Sequence, residues 1–93
     1  MATIRKIRQK IIDRAYYLSS HAEEEMVADR FERADVENAI RKGRIEKRLT
    51  HDERGTRYRI EGPARDGRML QALCRFKADS NLVIITVYAL TEE

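Results

Sequence analysis

The clearest pattern of apolar and polar positions lies in residues 82–90, whose sequence LVIITVYAL is a nearly uninterrupted apolar run. Its β-branched residues, its length and the Asp-Ser-Asn turn signal before it predict a central strand. Because side chains alternate across a strand, the run divides into two faces. One face is apolar and is predicted to pack on helices: Val83, Ile85, Val87 and Ala89. The other becomes polar toward its end and leads to a groove: Leu82, Ile84, Thr86, Tyr88 and Leu90.

Three helices are predicted before this strand. Residues 3–18 carry an apolar stripe at helical spacing among arginines and lysines. The basic outside of this helix fits contact with nucleic acid or an acidic partner, and it equally fits a solvated surface over a core stripe. Residues 20–31 begin with Ser20 and Glu23 at the spacing of a capping box. Residues 33–42 end before Gly43, a residue typical of the position after a helix.

After Gly43 the pattern changes from helical to alternating, which predicts strands at residues 44–49, 56–61 and 68–77. Turns are predicted at residues 51–55 and 62–67, and the second contains the Asp-Gly pair typical of hairpins. Together with residues 82–90, these strands would form a four-stranded antiparallel sheet. Helices followed by strands predict an α+β fold. We expect one domain over residues 1–93, with about three helices on one face of the sheet.

The face of the sheet that the helices leave uncovered is called the open face. Its predicted polar members are Arg44, Arg48, Arg57, Arg59, Arg75, Gln71, Thr86 and Tyr88. Because guanidinium groups bind phosphate through two parallel hydrogen bonds, one interpretation is a phosphate-binding surface. The other is an ordinary solvated sheet face. The first depends on the strand register, since a shift by one residue moves a side chain to the opposite face.

The composition is that of a soluble globular protein, with 93 residues, 42% hydrophobic and 38% charged. No apolar run approaches the roughly 20 residues that span a membrane, and no secretory signal is evident, so we expect a cytoplasmic protein. The single cysteine, Cys74, excludes an internal disulfide and fits a reducing compartment. With one cysteine and two histidines we expect no metal site and no cofactor. The net charge of +3 permits a polyanionic partner without requiring one.

His21 is the residue best suited to acid–base chemistry. It would lie in the first turn of the second helix, beside Glu23, Glu24 and Glu25. One interpretation makes it an acid, a base or a phosphate contact, and the other gives it only a local hydrogen bond. Cys74 falls on a predicted core face, where a thiol is expected to be inert. The sequence contains neither the GxxxxGK[ST] nor the GxGxxG phosphate-binding motif.

Several short motifs together resemble a small bacterial family of unknown function. They are Ser19-Ser20-His21-Ala22, Met26, Asp35-Val36, Gly43, Gly55, Tyr58, the GPARDGR turn at 62–68 and the VIITVY strand at 83–88. That family is similar in fold to the RelE/ParE and barnase–EndoU–colicin groups of toxin ribonucleases, and its members often lie beside YgiT-type zinc-finger antitoxins. The resemblance covers residues 17–90. It implies a type II toxin–antitoxin toxin, a metal-independent endoribonuclease that acts on RNA, with a cognate antitoxin as partner.

The resemblance also implies which residues form the site. His21 matches the family's helix histidine, and Tyr88 matches its tyrosine at the end of the last strand. Many members carry arginine at the position of Glu25 and histidine near Gln71, and this chain departs from both. The expected catalytic residues are His21, Tyr88, Arg57 and Arg59, and the expected substrate-binding residues are Arg75, Gln71, Thr86 and Arg48. The arginines would stabilise a pentavalent phosphate, while His21 or Tyr88 would transfer the proton.

Two other hypotheses assign no catalysis. In the first, the domain is an interaction module whose basic face docks an acidic segment, or whose sheet edge accepts a partner strand. In the second, it is a degenerate relative of the toxins that retains antitoxin binding or autoregulation without cleaving RNA.

Overall fold

The computed structural model describes residues 2–50, 53 and 55–90, so His51, Asp52 and Arg54 of the predicted turn and the tail 91–93 lie outside it. The described residues form three helices and five strands. In chain order these are α1 (Ala2–Ile12), β1 (Tyr16–Leu18), α2 (Ser20–Asp29), α3 (Arg33–Lys42), β2 (Arg44–Leu49), β3 (Arg57–Pro63), β4 (Met69–Phe76) and β5 (Leu82–Ala89). Of the helices in this described part, none is long and apolar enough to cross a membrane.

The strands form one mixed sheet in the order β1-β5-β4-β3-β2. Strands β2 to β5 make the predicted antiparallel meander. The short strand β1 lies parallel to β5, with Tyr16 opposite Leu82 and Leu18 opposite Ile84. The prediction of an α+β fold with three helices is therefore confirmed, whereas the prediction of four purely antiparallel strands was wrong.

Helix α1 ends earlier than its apolar stripe predicts, which leaves residues 16–18 to form strand β1. Arg14 adopts a left-handed conformation, with φ of 57°, and the Ala15 amide donates to the Lys10 carbonyl at 2.8 Å. The Ala15 carbonyl then accepts the Leu82 amide at 3.1 Å, which begins the contact with β5. The predicted helix at 3–18 merged a helix and a strand because Ala15 and Leu18 continue the helical spacing of the preceding isoleucines.

The hydrophobic core lies between the helices and one face of the sheet. Its fully buried side chains include Ile7 of α1, Ile40 of α3, Ile60 of β3 and Ile84 of β5. Burial of a side chain of this size contributes about 1.5–3 kcal/mol to stability. Cys74 is also fully buried on this face, as predicted, and burial raises the pKa of its thiol to about 12. The thiol therefore stays protonated and acts as packing.

A β-bulge in β5 changes which of its side chains face the helices. The pairing with β4 shifts between Ile84 and Thr86, so that Ile85 is an extra residue. The side chains that face the core are consequently Leu82, Ile84, Val87 and Ala89. The prediction that Val83 and Ile85 pack on the helices was wrong, because a strict alternation does not allow for the extra residue.

A second bulge in β2 corrects the predicted position of Arg48. The pairing with β3 shifts after Ile45, and Glu46 is the extra residue. Arg48 is therefore opposite Tyr58 on the helix side of the sheet, with its guanidinium carbon 5.9 Å from the ring centre. Leu49 takes the place on the open face. The prediction that Arg48 belongs to the open face was wrong.

Two glycines allow α3 to approach β3 closely. A Cβ atom on Gly62 would lie 2.1 Å from the Ala39 carbonyl oxygen, and one on Gly43 would lie 2.2 Å from the Glu61 carbonyl oxygen. Gly43 has φ of −89°, so its role is this close approach and not the left-handed helix end that the sequence suggests. The contact packs β3 closely against the helical layer, and the arginines of β3 lie on its other face.

Candidate functional site

The open face carries three rows of side chains that cross the four antiparallel strands. From β5 to β2 the rows are Tyr88-Gln71-Glu61-Arg44, Thr86-Leu73-Arg59-Lys47 and Val83-Arg75-Arg57-Leu49. The structure therefore brings together six of the eight residues predicted for the site: Tyr88, Gln71, Thr86, Arg57, Arg59 and Arg75. Arg48 lies on the opposite face, and His21 lies on α2.

Three arginines lie near one another on this face. Arg57 and Arg75 are directly opposite in neighbouring strands, and Arg59 lies two residues further along β3. Neighbouring strands are about 4.8 Å apart, and residues i and i+2 of one strand are about 6.6 Å apart. The three guanidinium groups therefore start from backbone positions close enough to converge on one phosphate group.

Tyr88 belongs to a hydrogen-bonded chain across the first row. Its hydroxyl donates to Gln71 Oε1, and Gln71 Nε2 donates to Glu61 Oε1 at 2.9 Å. The other oxygen of Glu61 lies 3.7 Å from the Arg44 guanidinium. Gln71 is only 8% exposed, and its hydrogen bond fixes the position of the Tyr88 hydroxyl. Gln71 thus serves as a link between Tyr88 and Glu61.

Arg59 is held by the bulged residue of β2. Its Nε donates to Glu46 Oε1 at 2.6 Å. This hydrogen bond is the main reason that the pKa of Arg59 is raised, and the hydroxyl of Tyr88 adds a smaller contribution. The same bond lowers the pKa of Glu46. The bulged Glu46 of β2 therefore holds Arg59 on the open face, the same face that carries Tyr88.

Helix α2 lies along the β5 edge of the sheet and completes it where β1 ends. The Ser19 hydroxyl accepts from the Ala22 amide at 3.0 Å, so Ser19 and not the predicted Ser20 is the N-cap. Further along, Glu25 accepts the Val87 amide at 3.0 Å and Asp29 accepts the Ala89 amide at 3.1 Å. The two carboxylates replace the carbonyl groups of a missing neighbouring strand.

His21 lies on α2 one turn before Glu25. Its Nε2 is 3.4 Å from Glu25 Oε1, and 64% of its side chain is exposed. Successive residues of a helix are about 100° apart around its axis. The direction of His21 therefore lies about 40° further from that of the buried Ala22 than the direction of Glu25 does. Within the described part of the chain, Glu25 is the polar contact of His21, and no hydrogen bond joins this histidine to Tyr88 or to an open-face arginine.

A protein-family comparison establishes the relationship of the chain. The family model described as "Domain of unknown function (DUF4258)" matches residues 18–89. The chain belongs to this family. No curated protein and no solved structure matches it significantly. The predicted resemblance to a family of unknown function is thereby confirmed, and the relationship to toxins that the resemblance implies stays a prediction.

In this DUF4258 domain, the 62–68 turn binds the start of α3. The Asp35 carboxylate accepts the Arg65 side chain at 3.0 Å, the Arg65 amide at 3.1 Å and the Glu32 amide at 2.8 Å. Glu32 accepts the other end of the Arg65 guanidinium. The Arg65 hydrogen bond is the main reason that the pKa of Asp35 falls from 3.8 to about 2. Asp35 is 6% exposed, so this is a structural ion pair at a helix start.

Arg68 binds the end of α2 in the same way. Its guanidinium donates to the carbonyl oxygens of Asp29 at 2.8 Å and Arg30 at 3.0 Å, which are the last of the helix. Asp66 orients it at 2.8 Å, and the guanidinium carbon lies 4.3 Å from the centre of the Phe31 ring. The arginines of the GPARDGR motif in this DUF4258 domain therefore join the turn to the α2–α3 junction.

Sequence reasoning missed one exposed residue of the open face, Tyr17. Its neighbour Tyr16 is buried on the helix side, so Tyr17 points to the open side of β1, opposite Val83. It is 42% exposed. The signal was present in the Tyr-Tyr pair before Leu18, since adjacent aromatic residues favour a strand, but the predicted helix at 3–18 obscured it. Residue 17 also lies outside the family match.

The described residues of the DUF4258 domain contain no group of three or more histidine, cysteine, aspartate or glutamate side chains that could hold a metal ion.

Proposed function

We propose that this DUF4258 domain binds RNA on its open face and acts as a metal-independent endoribonuclease, the toxin of a type II toxin–antitoxin pair. The observation that carries the RNA part of the proposal is the placement of Arg57 directly opposite Arg75 on the exposed side of the sheet. Like charges at directly opposite positions destabilise a sheet. A bound phosphate between them would offset this repulsion.

The charge of the open face supports a polyanionic ligand. Its rows contain five cationic side chains, Arg44, Lys47, Arg57, Arg59 and Arg75, with Glu61 and the bulged Glu46 as the carboxylates. Arginine outnumbers lysine here, and its planar fork suits the two oxygens of a phosphodiester. The arginines are arranged across strands, so that one nucleic-acid backbone running over the sheet would meet several of them.

The proposed reaction uses the 2′-hydroxyl of RNA as the nucleophile. A base removes its proton, the oxygen attacks the neighbouring phosphorus, and an acid gives a proton to the departing 5′-oxygen, which leaves a 2′,3′-cyclic phosphate. Arg57, Arg59 and Arg75 would bind the phosphate and stabilise its extra charge. Tyr88, which is oriented by Gln71, and the exposed His21 are the proposed proton-transfer groups.

A second candidate function is RNA or protein binding without cleavage. It is favoured by the position of His21, whose polar contact is Glu25 and not a group of the open face. Glu25 and Gln71, where the resemblance implies cationic residues in many members, serve as a backbone acceptor and as a link to Tyr88. Both candidates share the same open face, so they differ in cleavage and not in binding.

Binding is tested with Arg57→Gln/Arg75→Gln and with Arg5→Gln/Arg41→Gln, an exposed pair of equal charge away from the open face. A labelled ten-nucleotide RNA is titrated over a series of salt concentrations. We expect the open-face pair to weaken binding about tenfold or more and to reduce the salt slope by about 0.7, the contribution of the one phosphate contact that the two arginines share. The control pair changes both only slightly. Equal losses in the two pairs would show that general charge, and not a site, holds the RNA.

Cleavage is tested separately with the same RNA and with one that has a single 2′-deoxy substitution at the mapped cleavage position. We expect cleavage of the first and none of the second, with 2′,3′-cyclic ends on the product. His21→Ala and Tyr88→Phe should each slow cleavage about 100-fold, the ordinary size of an acid–base contribution, without weakening binding. RNA that binds with the expected salt slope but stays intact would assign the domain to the binding module.

The toxin part of the proposal is tested in cells. Expression of the wild-type chain should arrest growth and produce new RNA 5′ ends, and co-expression of the product of the adjacent gene, the proposed antitoxin, should restore growth. The Arg57→Gln/Arg75→Gln chain should be harmless. Normal growth with folded wild-type protein would count against a toxin.

A further inference from the structure

Tyr17 is an exposed aromatic ring in line with the arginines of the open face. The third row of the face continues beyond Val83 to Tyr17, because β1 pairs with β5 in register. Tyr17 and Arg75 therefore lie on either side of Val83, which is 6% exposed between them. The backbone positions of Tyr17 and Arg75 are two strand spacings, or about 10 Å, apart. Arginine side chains are long enough to cover part of that distance.

The positively charged ammonium group of Lys77 lies over this ring. Its Nζ lies 4.6 Å from the centre of the Tyr17 ring. A hydrogen bond with Tyr17 is the main reason that the pKa of Lys77 is raised. The ammonium group occupies one side of the ring, and 42% of Tyr17 remains exposed. A planar group that stacks on the ring would have cations on two sides, Lys77 at the β4–β5 turn and Arg75 in β4.

The other large exposed apolar residues do not share this setting. Ile12 and Val27 are aliphatic and belong to helices, and Met69 lies at the opposite end of the open face. Tyr17 alone among these four exposed side chains combines an aromatic ring with neighbouring cations. Aromatic rings next to arginines and lysines are the usual platform for unpaired bases, because every base has a face that can stack.

We propose that Tyr17 is a stacking platform for an unpaired nucleobase, whose neighbouring phosphate is held by Arg75 and Arg57. This inference rests on the proposed RNA binding and specifies its substrate class: single-stranded RNA, or an unpaired loop of a folded RNA. A base inside a duplex has both faces covered by its neighbours and offers no face to Tyr17. Duplex RNA would still meet the arginines, but it would bind without the contribution of the ring.

The test uses the absence of tryptophan from the sequence. In Tyr17→Trp, the new residue is the only tryptophan, and stacking on a base should quench its fluorescence. We expect ten-nucleotide oligouridylate and oligoadenylate to quench it and a duplex of the same length to leave it unchanged. Tyr17→Leu keeps an apolar side chain in β1 and removes the ring. We expect it to weaken single-strand binding about tenfold, a typical loss for one stacked base, with the salt slope unchanged.

The controls separate the ring from the charges and from the fold. Met69→Ala, an exposed apolar change on the same face, should leave RNA affinity within twofold of wild type. Tyr17→Phe keeps the ring and should bind as wild type does. Arg57→Gln/Arg75→Gln should reduce the salt slope, which Tyr17→Leu does not. Urea unfolding of Tyr17→Leu confirms that the lost affinity is not lost folding.

Failure of this inference is distinguishable from failure of the proposed function. Wild-type protein that binds single-stranded RNA with the expected salt slope, while Tyr17→Leu binds equally well and Tyr17→Trp is not quenched, would overturn the platform and leave RNA binding intact. Equal affinity for duplex and single strand would overturn it too. Wild-type protein that binds no RNA at all would overturn both proposals.

Discussion

Two groups of arginines in this domain are placed differently. Arg65 and Arg68, in the turn between β3 and β4, donate to carboxylates and to the last carbonyl groups of a helix. Arg57 and Arg75, on the open face, are placed with one arginine directly opposite another. The turn arginines satisfy groups that folding leaves without partners, whereas the opposed pair brings like charges together, which folding alone does not favour.

The comparison shows that the residue type does not determine the role. A guanidinium whose acceptors belong to the protein itself is part of the fold, and its loss lowers stability. Two guanidinium groups at directly opposite positions can bind one anion together, and their loss is expected to lower binding. If the two groups differ in this way, the greatest loss of stability should follow from replacing Asp35, the carboxylate that binds Arg65.

The largest effect on stability is expected for Asp35→Ala. This change removes the acceptor of the Glu32 amide, the Arg65 amide and the Arg65 side chain. Hydrogen bonds to a charged group contribute about 1.5–3 kcal/mol, so we expect the free energy of unfolding to fall by about 3 kcal/mol. Urea unfolding measures it. Asp13→Ala, an exposed carboxylate that accepts from Gln9, is the matched control and should cost less than about 0.5 kcal/mol.

A loss below 1 kcal/mol in Asp35→Ala would remove the basis of the comparison, because the turn arginines would then be no more structural than those of the open face. The RNA affinity of the folded variant should equal that of the wild type, since Asp35 is not on the open face.

Acid should narrow the difference between the wild type and Asp35→Ala. The pKa of Asp35 is depressed from 3.8 to about 2 in the folded protein. Its contribution is therefore fully present above pH 3.8 and is lost as the pH falls toward 2. We expect the difference in unfolding free energy between the two chains to shrink by about half or more from pH 5 to pH 2. A constant difference over this range would mean that the Asp35 charge contributes nothing.

A smaller effect is expected at the β5 edge, where the acceptor is a carboxylate and the donor is the backbone. Glu25→Ala removes the acceptor of the part-buried Val87 amide. We expect it to lower the free energy of unfolding by about 1–2 kcal/mol. Glu25→Gln retains an acceptor oxygen and should restore most of it. Glu24→Ala, an exposed neighbour, is the control. If Glu25→Gln and Glu25→Ala were equally unstable, the charge of Glu25 would matter beyond its acceptor role.

The general fold was predictable because long patterns specify it. The two later helices and the four antiparallel strands follow from periods of 3.6 and 2 that extend over six residues or more. Strand β1 was missed because three residues are too short for a period, and because Ala15 and Leu18 continue the spacing of α1. Its existence depends on the pairing of residues 16–18 with β5. The paired residues are more than sixty positions apart in the sequence, so local propensity does not encode the contact.

The candidate site was predictable only where the strands are regular. Arg57, Arg59 and Arg75 lie on the open face as alternation predicts, because β3 pairs with β4 without interruption. Arg48 was misplaced because the extra residue in β2 is Glu46, and nothing in RIEKRL marks a bulge. The acceptor roles of Glu25 and Asp29 were not predicted either, since they depend on α2 lying along the edge of β5.

The smallest change in stability is expected for Arg57→Gln/Arg75→Gln, and this result would sharpen the comparison most. Removal of two opposed like charges should leave the unfolding free energy unchanged or raise it by a few tenths of a kcal/mol at low salt. Arg65→Gln/Arg68→Gln removes the same charge and should lower it by about 2 kcal/mol while RNA affinity is kept. Added salt should reduce the small gain in the first variant, since screening weakens repulsion between partly exposed charges. Urea unfolding of the two double variants at low and high salt measures these differences. If the open-face pair proved as destabilising as the turn pair, Arg57 and Arg75 would be structural residues, and the principal argument for an RNA ligand would be lost.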